Sequence, residues 1–595
     1  MEFNEEQRKA IEFKDGNCCV IACAGSGKTA VLVNRIENLI NNHNVNPSSI
    51  LAISFDNNSK EVIKKRLSTI LGKKNAELVK VNTFHGFGLS IINGCMSSKI
   101  ITSKQKKEII TNLCLFNNFF HNAADIDFGK IYSFISKQKN NLEKPNVTNV
   151  NETVLENSRF ILDILNRDYE SSSKSIEDYN INKLNKIYDL YENKKASLGL
   201  IDFDDMLSIA YFILDENHNY CDTLRKKYKY ILVDEMQDIN KAQFYLLNKI
   251  QSNNLFMVGD PFQNIYNFRG SSNKYFQEIA NSENTEVIHL YKNYRSTPNI
   301  VKAANSLMIN TPYAKSKLYK ESISCRSEYE DVKYMSFHDD EQEAESIAFY
   351  INHRISEERN LDYNLITILA RTNHQLQQFE SMFYKYNIPY CKQNNKSYYE
   401  PSFFEINEVE IILNYLRQLT SKNFKYDSVD KKILEKLKKQ NFERINGIIN
   451  FIRKETHLDE LFKKGELTNT NELIEHLENL NQLELIASKY TDISEFLDYV
   501  KKRISYTKKV NKKNCVKLMT IHKSKGMEFP IVFIVGVTNG FIPHARSEEI
   551  EEERRLLYVA MTRAKDELFM TSFDIYNAMY MGASTFLENL ISEVH

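Results

Sequence analysis

Residues 22–29 carry side chains that could bind the phosphates of a nucleotide. They read ACAGSGKT, and the segment combines two glycines with Lys28 and Thr29. Glycines let backbone N–H groups converge on phosphate oxygens, and a helix that begins there adds its dipole. In such a loop the lysine reaches the terminal phosphates, and the threonine hydroxyl binds Mg²⁺. The segment predicts a phosphate-binding loop, although Ala22 replaces the usual first glycine; the alternative is an ordinary glycine-rich turn.

Two neighbouring carboxylates follow an apolar run later in the chain. Residues 230–233 read YILV and are followed by Asp234 and Glu235. Sheets of α/β proteins bind their ligands at the carboxyl ends of their strands, where these two acids would lie. We expect Asp234 to hold Mg²⁺ and Glu235 to orient or deprotonate an attacking water. Alone, the pair could be a solvated strand end; combined with residues 22–29, it predicts hydrolysis of a nucleoside triphosphate.

Short apolar runs must supply the strands that position these groups. Such runs, each followed by a turn, indicate buried parallel strands. They occur at residues 18–22, 50–54, 230–233, 255–258, 286–290, 365–369 and 530–535. Residues 89–199 and 401–509 instead show helical spacing. We therefore predict an α/β fold interrupted by two helical insertions.

The overall composition excludes several classes of protein. The 595 residues are 42% hydrophobic and 26% charged, which is a globular rather than a disordered profile. The 78 basic and 78 acidic residues cancel, so any nucleic-acid contact requires a local groove. No apolar run approaches the roughly 18 residues of a membrane helix. The nine cysteines include no Cys-x-x-Cys pair and no group of four, which argues against a zinc knuckle, a disulfide framework or an iron–sulfur cluster, and we expect free thiols. We expect a cytoplasmic protein without membrane association.

The order of further motifs resembles the UvrD/Rep/PcrA-type helicases of superfamily one. The segments that carry this resemblance are residues 3–7, 51–59, 83–87, 202–207, 258–270, 293–296, 518–529 and 551–564. The resemblance implies two RecA-like parallel-sheet motor domains with ATP bound between them, each with a mainly helical inserted accessory domain. The first motor domain would comprise 1–88 and 200–285, with 89–199 inserted. The second would comprise 286–400 and 510–595, with 401–509 inserted.

The resemblance also implies roles at the nucleotide. Residues similar to the family's catalytic set are Lys28, Asp234, Glu235, Gln263, Arg295 and Arg563. The two arginines would reach the γ-phosphate from the second motor domain, and Gln263 would sense it. Residues similar to its nucleotide contacts are Gln7, Ala24, Gly25, Ser26, Gly27, Lys28, Thr29, Tyr294 and Glu528. Gln7 and Tyr294 would contact adenine and Glu528 the ribose, while Thr29 and Asp234 would bind the metal.

A second set of residues resembles the family's contacts to single-stranded DNA. Its members are Phe55, His85, Tyr266, Phe268, Arg269 and His522. An aromatic face stacks on any base, which suits a motor that moves along every sequence. Phe268 stands where the family often has tryptophan, of which this chain has none. The alternative for these aromatic residues is ordinary packing.

These observations predict an ATP- and Mg²⁺-dependent helicase that moves 3′ to 5′ on single-stranded DNA and unwinds duplex at single/double-strand junctions. The second helical zone is short, so a translocase with little unwinding activity remains an alternative. A motor or switch subunit of a larger complex, with repair factors or a nuclease as partners, is another. The biological pathway stays open among repair, replication restart, plasmid maintenance and phage defence.

Overall fold

The computed structural model describes most of the chain. The described residues are 2–120, 122, 126–145, 176–267, 270–309, 311–316, 318–327, 332–359, 361–392, 403–420, 429–440, 442, 444–458, 470–509, 514–545, 547 and 549–587. They form two compact units: one holds the residues up to 327 except 127–129, and the other holds 127–129 and the residues from 332 onward. Within this described part, no helix has both the length and the apolar character needed to cross a membrane.

The strands follow one another along both units. They are β1 (Asn17–Ala22), β2 (Ile50–Ser54), β3 (Lys80–Thr83), β4 (Lys99–Ile100), β5 (Leu200–Ile201), β6 (Tyr230–Val233), β7 (Leu255–Gly259), β8 (Thr285–Leu290), β9 (Lys292–Asn293), β10 (Ile323–Ser324), β11 (Val332–Asp339), β12 (Ile366–Ala370), β13 (Tyr390–Lys392), β14 (Val516–Thr520), β15 (Phe529–Ile534), β16 (Ala564–Tyr576) and β17 (Met579–Tyr580).

The helices alternate with these strands or cluster in the insertions. They are α1 (Glu5–Glu12), α2 (Lys28–Asn41), α3 (Asn57–Leu78), α4 (Phe84–Cys95), α5 (Ser103–Phe116), α6 (Phe128–Asn140), α7 (Ile176–Ser197), α8 (Asp205–Glu216), α9 (His218–Lys227), α10 (Lys241–Ile250), α11 (Asn273–Ala280), α12 (Pro298–Met308), α13 (Asp340–Glu357), α14 (Asn373–Lys385), α15 (Asn407–Thr420), α16 (Lys431–Lys438), α17 (Ile445–Glu455), α18 (Thr470–Ala487), α19 (Ile493–Lys509), α20 (Ile521–Ser524) and α21 (Ile550–Met561).

The first unit is built on a parallel sheet of six strands in the order β3-β2-β6-β7-β1-β8. Side chains alternate between the two faces of a strand, and both faces of this sheet are covered. Cys18 and Val20 of β1 lie in one apolar core, whereas Cys19 and Ile21 lie in the other. This double burial is why the strands read as continuous apolar runs in the sequence. The carboxyl ends of β1, β2, β6 and β7 lie at one edge of the sheet and position the candidate site.

Strand β8 changes one predicted boundary. The sequence division placed residues 286–400 in the second motor domain, but Thr285–Leu290 pairs with β1 along its whole length. Residues 286–290 therefore lie in the first sheet. The run of apolar residues predicted the strand correctly, but the spacing within a strand does not specify which sheet it joins. The described residues between 291 and 327 also belong to the first unit, among them Arg295, which was expected in the second motor domain. The other boundaries of the division stay predictions.

The insertion in the first unit is helical in its described part, and buried charged residues connect it to the part of the unit that contains the six-stranded sheet. Lys139 of α6 donates to Asp202 and Asp205 at 2.6 and 2.7 Å, and Lys195 of α7 pairs with Glu192 at 2.8 Å. Burial alone would raise the pKa of Asp202, but the two lysines hold it well below its usual value. The motif at residues 202–207 thus fastens the insertion to the start of α8.

The second unit contains another sheet, in the order β11-β16-β15-β12-β14-β13, with β17 antiparallel to β16. Helices α13 and α14 pack on it around Phe379 and Phe383. The described helices between residues 403 and 509 form a separate apolar core that includes Ile412, Ile449 and Phe496. The predicted helical zone at 401–509 is therefore helical where it is described.

A buried carboxyl in the second unit predicts a pH-dependent stability. Glu343 of α13 is 2% exposed, and it accepts hydrogen bonds from Thr571 Oγ1 at 2.6 Å and Gly536 N at 2.9 Å. Burial raises its pKa from 4.5 to about 7 despite these donors. Because the folded state holds this proton more tightly than the unfolded chain, stability falls as pH rises from about 4.5 to 7.

Replacing Glu343 with glutamine should remove this penalty. We expect the melting temperature of Glu343→Gln, relative to the unchanged protein, to be higher at pH 8 than at pH 5 by about 2 °C or more, measured by scanning calorimetry. Glu345→Gln on the same helix is the matched control, since Glu345 is only half-buried and pairs with Lys385 at 2.6 Å. An equal difference at both pH values would contradict the prediction.

Candidate active site

The predicted phosphate-binding loop connects β1 to α2, and its backbone conformation depends on its glycines. Gly25 and Gly27 have φ angles of +71° and +84°, in the left-handed region that favours glycine. A Cβ atom at Gly25 would lie 2.7 Å from Arg295 Cβ and 2.7 Å from Asn293 Oδ1. The loop is therefore closely packed against residues 293–295, and α2 begins directly after it at Lys28.

The loop faces the acidic strand end that the sequence predicted. Thr29 Oγ1 donates to Asp234 Oδ2 at 3.3 Å, and Lys28 Nζ lies 4.0 Å from Glu235 Oε2. The fold creates this proximity because β1 and β6 flank β7 in the parallel sheet. A hydroxyl, a carboxylate and an ammonium thus converge at the helix N-terminus, which is a donor set suited to a metal-bound polyphosphate.

Burial raises the pKa values of two carboxyl groups near Lys28. Burial and the nearby Glu235 raise the pKa of Asp234 to about 7, while Lys28 acts in the opposite direction. Burial also raises the pKa of Asp260, again opposed by Lys28. A cation bound beside these carboxyl groups would stabilise their charged forms, because a nearby positive charge lowers the pKa of a carboxyl.

One glutamine that sequence reasoning missed organises this edge. Gln237 is fully buried, its Nε2 donates to Glu235 Oε2 at 2.6 Å, and its Oε1 accepts from Asp260 N at 3.0 Å. It therefore joins the ends of β6 and β7 and orients the Glu235 carboxylate. Gln263 Nε2 in turn donates to Asp260 Oδ2 at 2.7 Å. Gln237 lies two residues after Glu235, and that position was the available signal.

The N-terminal helix closes the other side of the loop. Gln7 Nε2 donates to Ser26 O at 3.0 Å, and Asn4 Nδ2 donates to Tyr294 OH at 2.7 Å. Tyr294 N donates to Gly25 O at 3.1 Å, and the Tyr294 side chain is 46% exposed. The structure thus brings both predicted adenine contacts to the loop. Asn4 was not among the predicted site residues, although it caps α1 beside Gln7.

Asn293 is a third residue that the sequence analysis did not single out. Its Oδ1 accepts from the backbone N–H groups of Arg295 and Ser296, at 2.8 and 3.0 Å. It is 3% exposed and fixes the turn that carries Arg295 past Gly25. The signal available was its position immediately before Tyr294.

Two aromatic stacks accompany the nucleotide residues in the first unit. The rings of Phe55 and Tyr266 stack with centroids 5.2 Å apart and an angle of 16°. His85 stacks on Phe203 at 4.0 Å, and burial lowers the pKa of His85 to about 4, so it is neutral at physiological pH. Phe203 is 59% exposed and was not predicted as a DNA contact. Phe268 and Arg269 lie outside the described residues.

Three predicted site residues belong to the second unit. His522 lies in the short helix α20 after β14, and Glu528 pairs with Lys565 at 2.5 Å. Arg563 is 1% exposed. Its guanidinium donates to Val559 O at 2.9 Å and to Met527 O at 3.0 Å. The roles of these three residues stay predictions.

Comparisons with known families fit this arrangement. The UvrD/REP helicase N-terminal domain matches residues 3–284. The UvrD-like helicase C-terminal domain matches residues 288–440 and 425–574. The chain belongs to the UvrD/Rep helicase family. Membership confirms the resemblance found in the sequence and, with the two parallel sheets, the predicted class of two RecA-like motor domains with helical insertions.

Named relatives of this helicase match it over nearly its whole length. It is 31% identical to the ATP-dependent DNA helicase Rep of Buchnera aphidicola subsp. Schizaphis graminum, over 100% of this chain and 97% of that protein. It is 28% identical to the ATP-dependent DNA helicase PcrA of Staphylococcus aureus strain Mu50, over 96% of this chain and 83% of that protein. The helicase's loop and acidic pair lie within the N-terminal match, and Arg295 and Arg563 lie within the C-terminal match.

Proposed function

We propose that the protein is an ATP-dependent DNA helicase that couples Mg–ATP hydrolysis to 3′-to-5′ movement on single-stranded DNA and to duplex unwinding. The observation that carries the proposal is the convergence of Lys28, Thr29, Asp234 and Glu235 at one sheet edge that also carries Phe55. The names of the Rep and PcrA relatives support ATP as the nucleotide that is hydrolysed and DNA as the substrate.

The residues at the loop fit a Mg-bound triphosphate. The left-handed φ angles of Gly25 and Gly27 let the loop backbone curve so that its N–H groups can converge on a phosphate. Thr29 and Asp234 are oxygen donors of the kind that Mg²⁺ prefers. Held by these two residues, such an ion would neutralise charge on the phosphates. Lys28 adds the positive charge that the terminal phosphate requires.

Glu235 is the group that would accept the proton of the attacking water. Its carboxylate is 20% exposed, which admits a water molecule, and Gln237 fixes its orientation through the 2.6 Å hydrogen bond. Lys28 Nζ lies 4.0 Å from Glu235 Oε2, which places this carboxylate beside the lysine of the loop, where a base would have to lie. Removing this carboxylate should therefore affect the chemical step more than nucleotide binding.

A short segment joins the nucleotide residues to an aromatic stack. Asp260 and Gln263 are hydrogen-bonded at the phosphate side, and three residues further on Tyr266 stacks on Phe55. Asn264 anchors the segment in between, because its Nδ2 donates to Gln237 O at 2.7 Å. A change at the γ-phosphate would thus be transmitted through few bonds to a ring that can stack on a base.

Replacing Phe55 with alanine should weaken the grip on single strands. We expect about tenfold weaker binding of an oligothymidine, measured by fluorescence anisotropy, because one stacking face is lost. Phe55→Tyr should retain most of the affinity. Phe349→Ala is the matched control, since Phe349 is an aromatic residue on α13 with 62% exposure. Unchanged affinity in Phe55→Ala would remove this stack from the DNA path.

The function is tested by strand displacement. The proposal expects ATP-dependent unwinding of a duplex with a 3′ single-stranded tail, little unwinding with a 5′ tail, and ATPase stimulation by single-stranded DNA. Stimulated ATPase without unwinding of either substrate would favour the alternative of a translocase that hardly opens duplex. Activity that emerges only with a co-purified partner would favour a subunit of a larger complex. No stimulation by any DNA would contradict the proposal.

A further inference from the structure

Two cysteine thiols meet at the root of the helical insertion in the second unit. Cys391 lies on β13, the last described strand before the insertion, and Cys515 directly precedes β14, the strand on which the chain returns. Their sulfur atoms are 2.8 Å apart, although the residues are 124 positions apart in the sequence. Even carbon atoms, which are smaller than sulfur atoms, stay about 3.5–4.0 Å apart in packed interiors, so the two thiols approach each other very closely.

The strand register produces this contact. In the parallel pair of β13 and β14, Tyr390 lies opposite Val516 and Cys391 opposite Lys517. Cys515 is two residues before Lys517, so its side chain leaves the sheet on the same face as that of Cys391. Cys391 and Cys515 are therefore diagonal neighbours on this face, a spacing of about 7–8 Å between Cα atoms, and their side chains span that diagonal to bring the sulfur atoms together.

We propose that Cys391 and Cys515 are a modification site that forms a reversible disulfide, a clasp closed by a peroxide. Cys391 is half-buried and can be reached by a small oxidant, whereas Cys515 is buried. A peroxide oxidises the Cys391 thiol to a sulfenic acid and is reduced to water. The Cys515 sulfur then attacks the sulfenic sulfur, the S–S bond forms, and a second water leaves. A thiol reductant reverses the reaction by exchange.

The disulfide would add a covalent bond at the point where the helical insertion joins the sheet. The contacts described there are non-covalent and weaker. Lys392 of β13 pairs with Glu380 of α14, and Arg503 of α19 donates to Glu380 O at 2.9 Å. Both contacts can break transiently when the strand ends open. A disulfide between the outgoing and returning strands prevents that separation, so local opening at the root becomes rarer.

The experiment treats the full-length protein with hydrogen peroxide and compares it with the reduced form. Non-reducing peptide mapping by mass spectrometry should detect a Cys391–Cys515 cross-linked peptide that disappears with dithiothreitol. Amide hydrogen exchange at residues 390–392 and 514–517 should slow by about tenfold in the oxidised form. Neither measurement depends on ATP hydrolysis or DNA, so failure here is distinguishable from failure of the proposed function.

Matched variants separate the clasp from general oxidation. Cys391→Ser and Cys515→Ala should each abolish the cross-link and the slowed exchange, and the first variant retains the buried Cys515. Cys325→Ser, which alters an exposed cysteine of the first unit, should change neither. Oxidation of Cys391 to a sulfinic acid or a mixed disulfide without the cross-link would overturn the proposal. A cross-link that leaves exchange unchanged would overturn the clasp, as would absence of any reaction at Cys391.

Discussion

Replacing Lys28 with alanine should abolish ATP turnover while leaving the fold intact. We expect the rate of DNA-stimulated ATP hydrolysis, measured as released phosphate, to fall on the order of 10³-fold. The reason is that the substitution removes a positioned cation at the terminal phosphate. The folded state should tolerate the change. Burial raises the pKa of Asp234 and Asp260, and Lys28 lowers it. Without Lys28 the pKa of both carboxyls would rise further, so they would be neutral and no uncompensated charge would remain buried.

A surface lysine supplies the control for this substitution. Lys9 of α1 is 61% exposed and pairs with Glu286 at 2.6 Å, an exposed ion pair of small energetic worth. Lys9→Ala should therefore hydrolyse ATP like the unchanged protein. Circular dichroism and thermal melting of both variants would separate loss of the site from loss of the fold. Full DNA-stimulated hydrolysis by Lys28→Ala would overturn the assignment of the loop.

Replacing Glu235 with glutamine should separate nucleotide binding from the chemical step. The amide has nearly the same shape, but it cannot accept the proton of water. We expect single-turnover hydrolysis to fall by about 10²–10⁴-fold. Affinity for a fluorescent ATP analogue should stay within about threefold, because Lys28, Thr29 and the loop backbone are unchanged.

The two substitutions must differ in kind for the assignment to hold. Lys28→Ala should weaken both binding and chemistry, whereas Glu235→Gln should trap bound ATP. Glu61→Gln is the matched control, since Glu61 is 66% exposed and lies 3.4 Å from Lys64 on the surface of α3. Comparable losses of affinity in Glu235→Gln and Lys28→Ala would mean that Glu235 binds the metal or the nucleotide rather than activating water.

Much of the candidate site could be predicted from the sequence, because its predicted chemistry depends on the order of consecutive residues. A phosphate loop needs glycines, lysine and threonine in consecutive positions, and the acidic pair needs a buried strand directly before it. Residues 22–29 and 230–235 satisfy both conditions, and the structure places them at one sheet edge. Membership of the UvrD/Rep family likewise followed from long motifs such as residues 551–564, which domain matching bears out.

Other features depend on which strands become neighbours, and the sequence does not encode that directly. The apolar run at 286–290 predicted a strand, but only the pairing of β8 with β1 assigned it to the first sheet. Gln237 bridges β6 and β7, and Phe203 stacks on His85 across distant parts of the chain. Periodicity indicates which face of an element is buried, whereas the partner on that face is chosen by packing.

The sequence by itself determined the family of this protein and predicted the chemistry of its candidate site, because consecutive residues carry both signals. The tertiary structure alone decided which side chains orient those groups and which thiols touch. Cys391 and Cys515 show the reason most clearly. They are 124 positions apart, and only the parallel pairing of β13 with β14 brings their sulfur atoms within 2.8 Å.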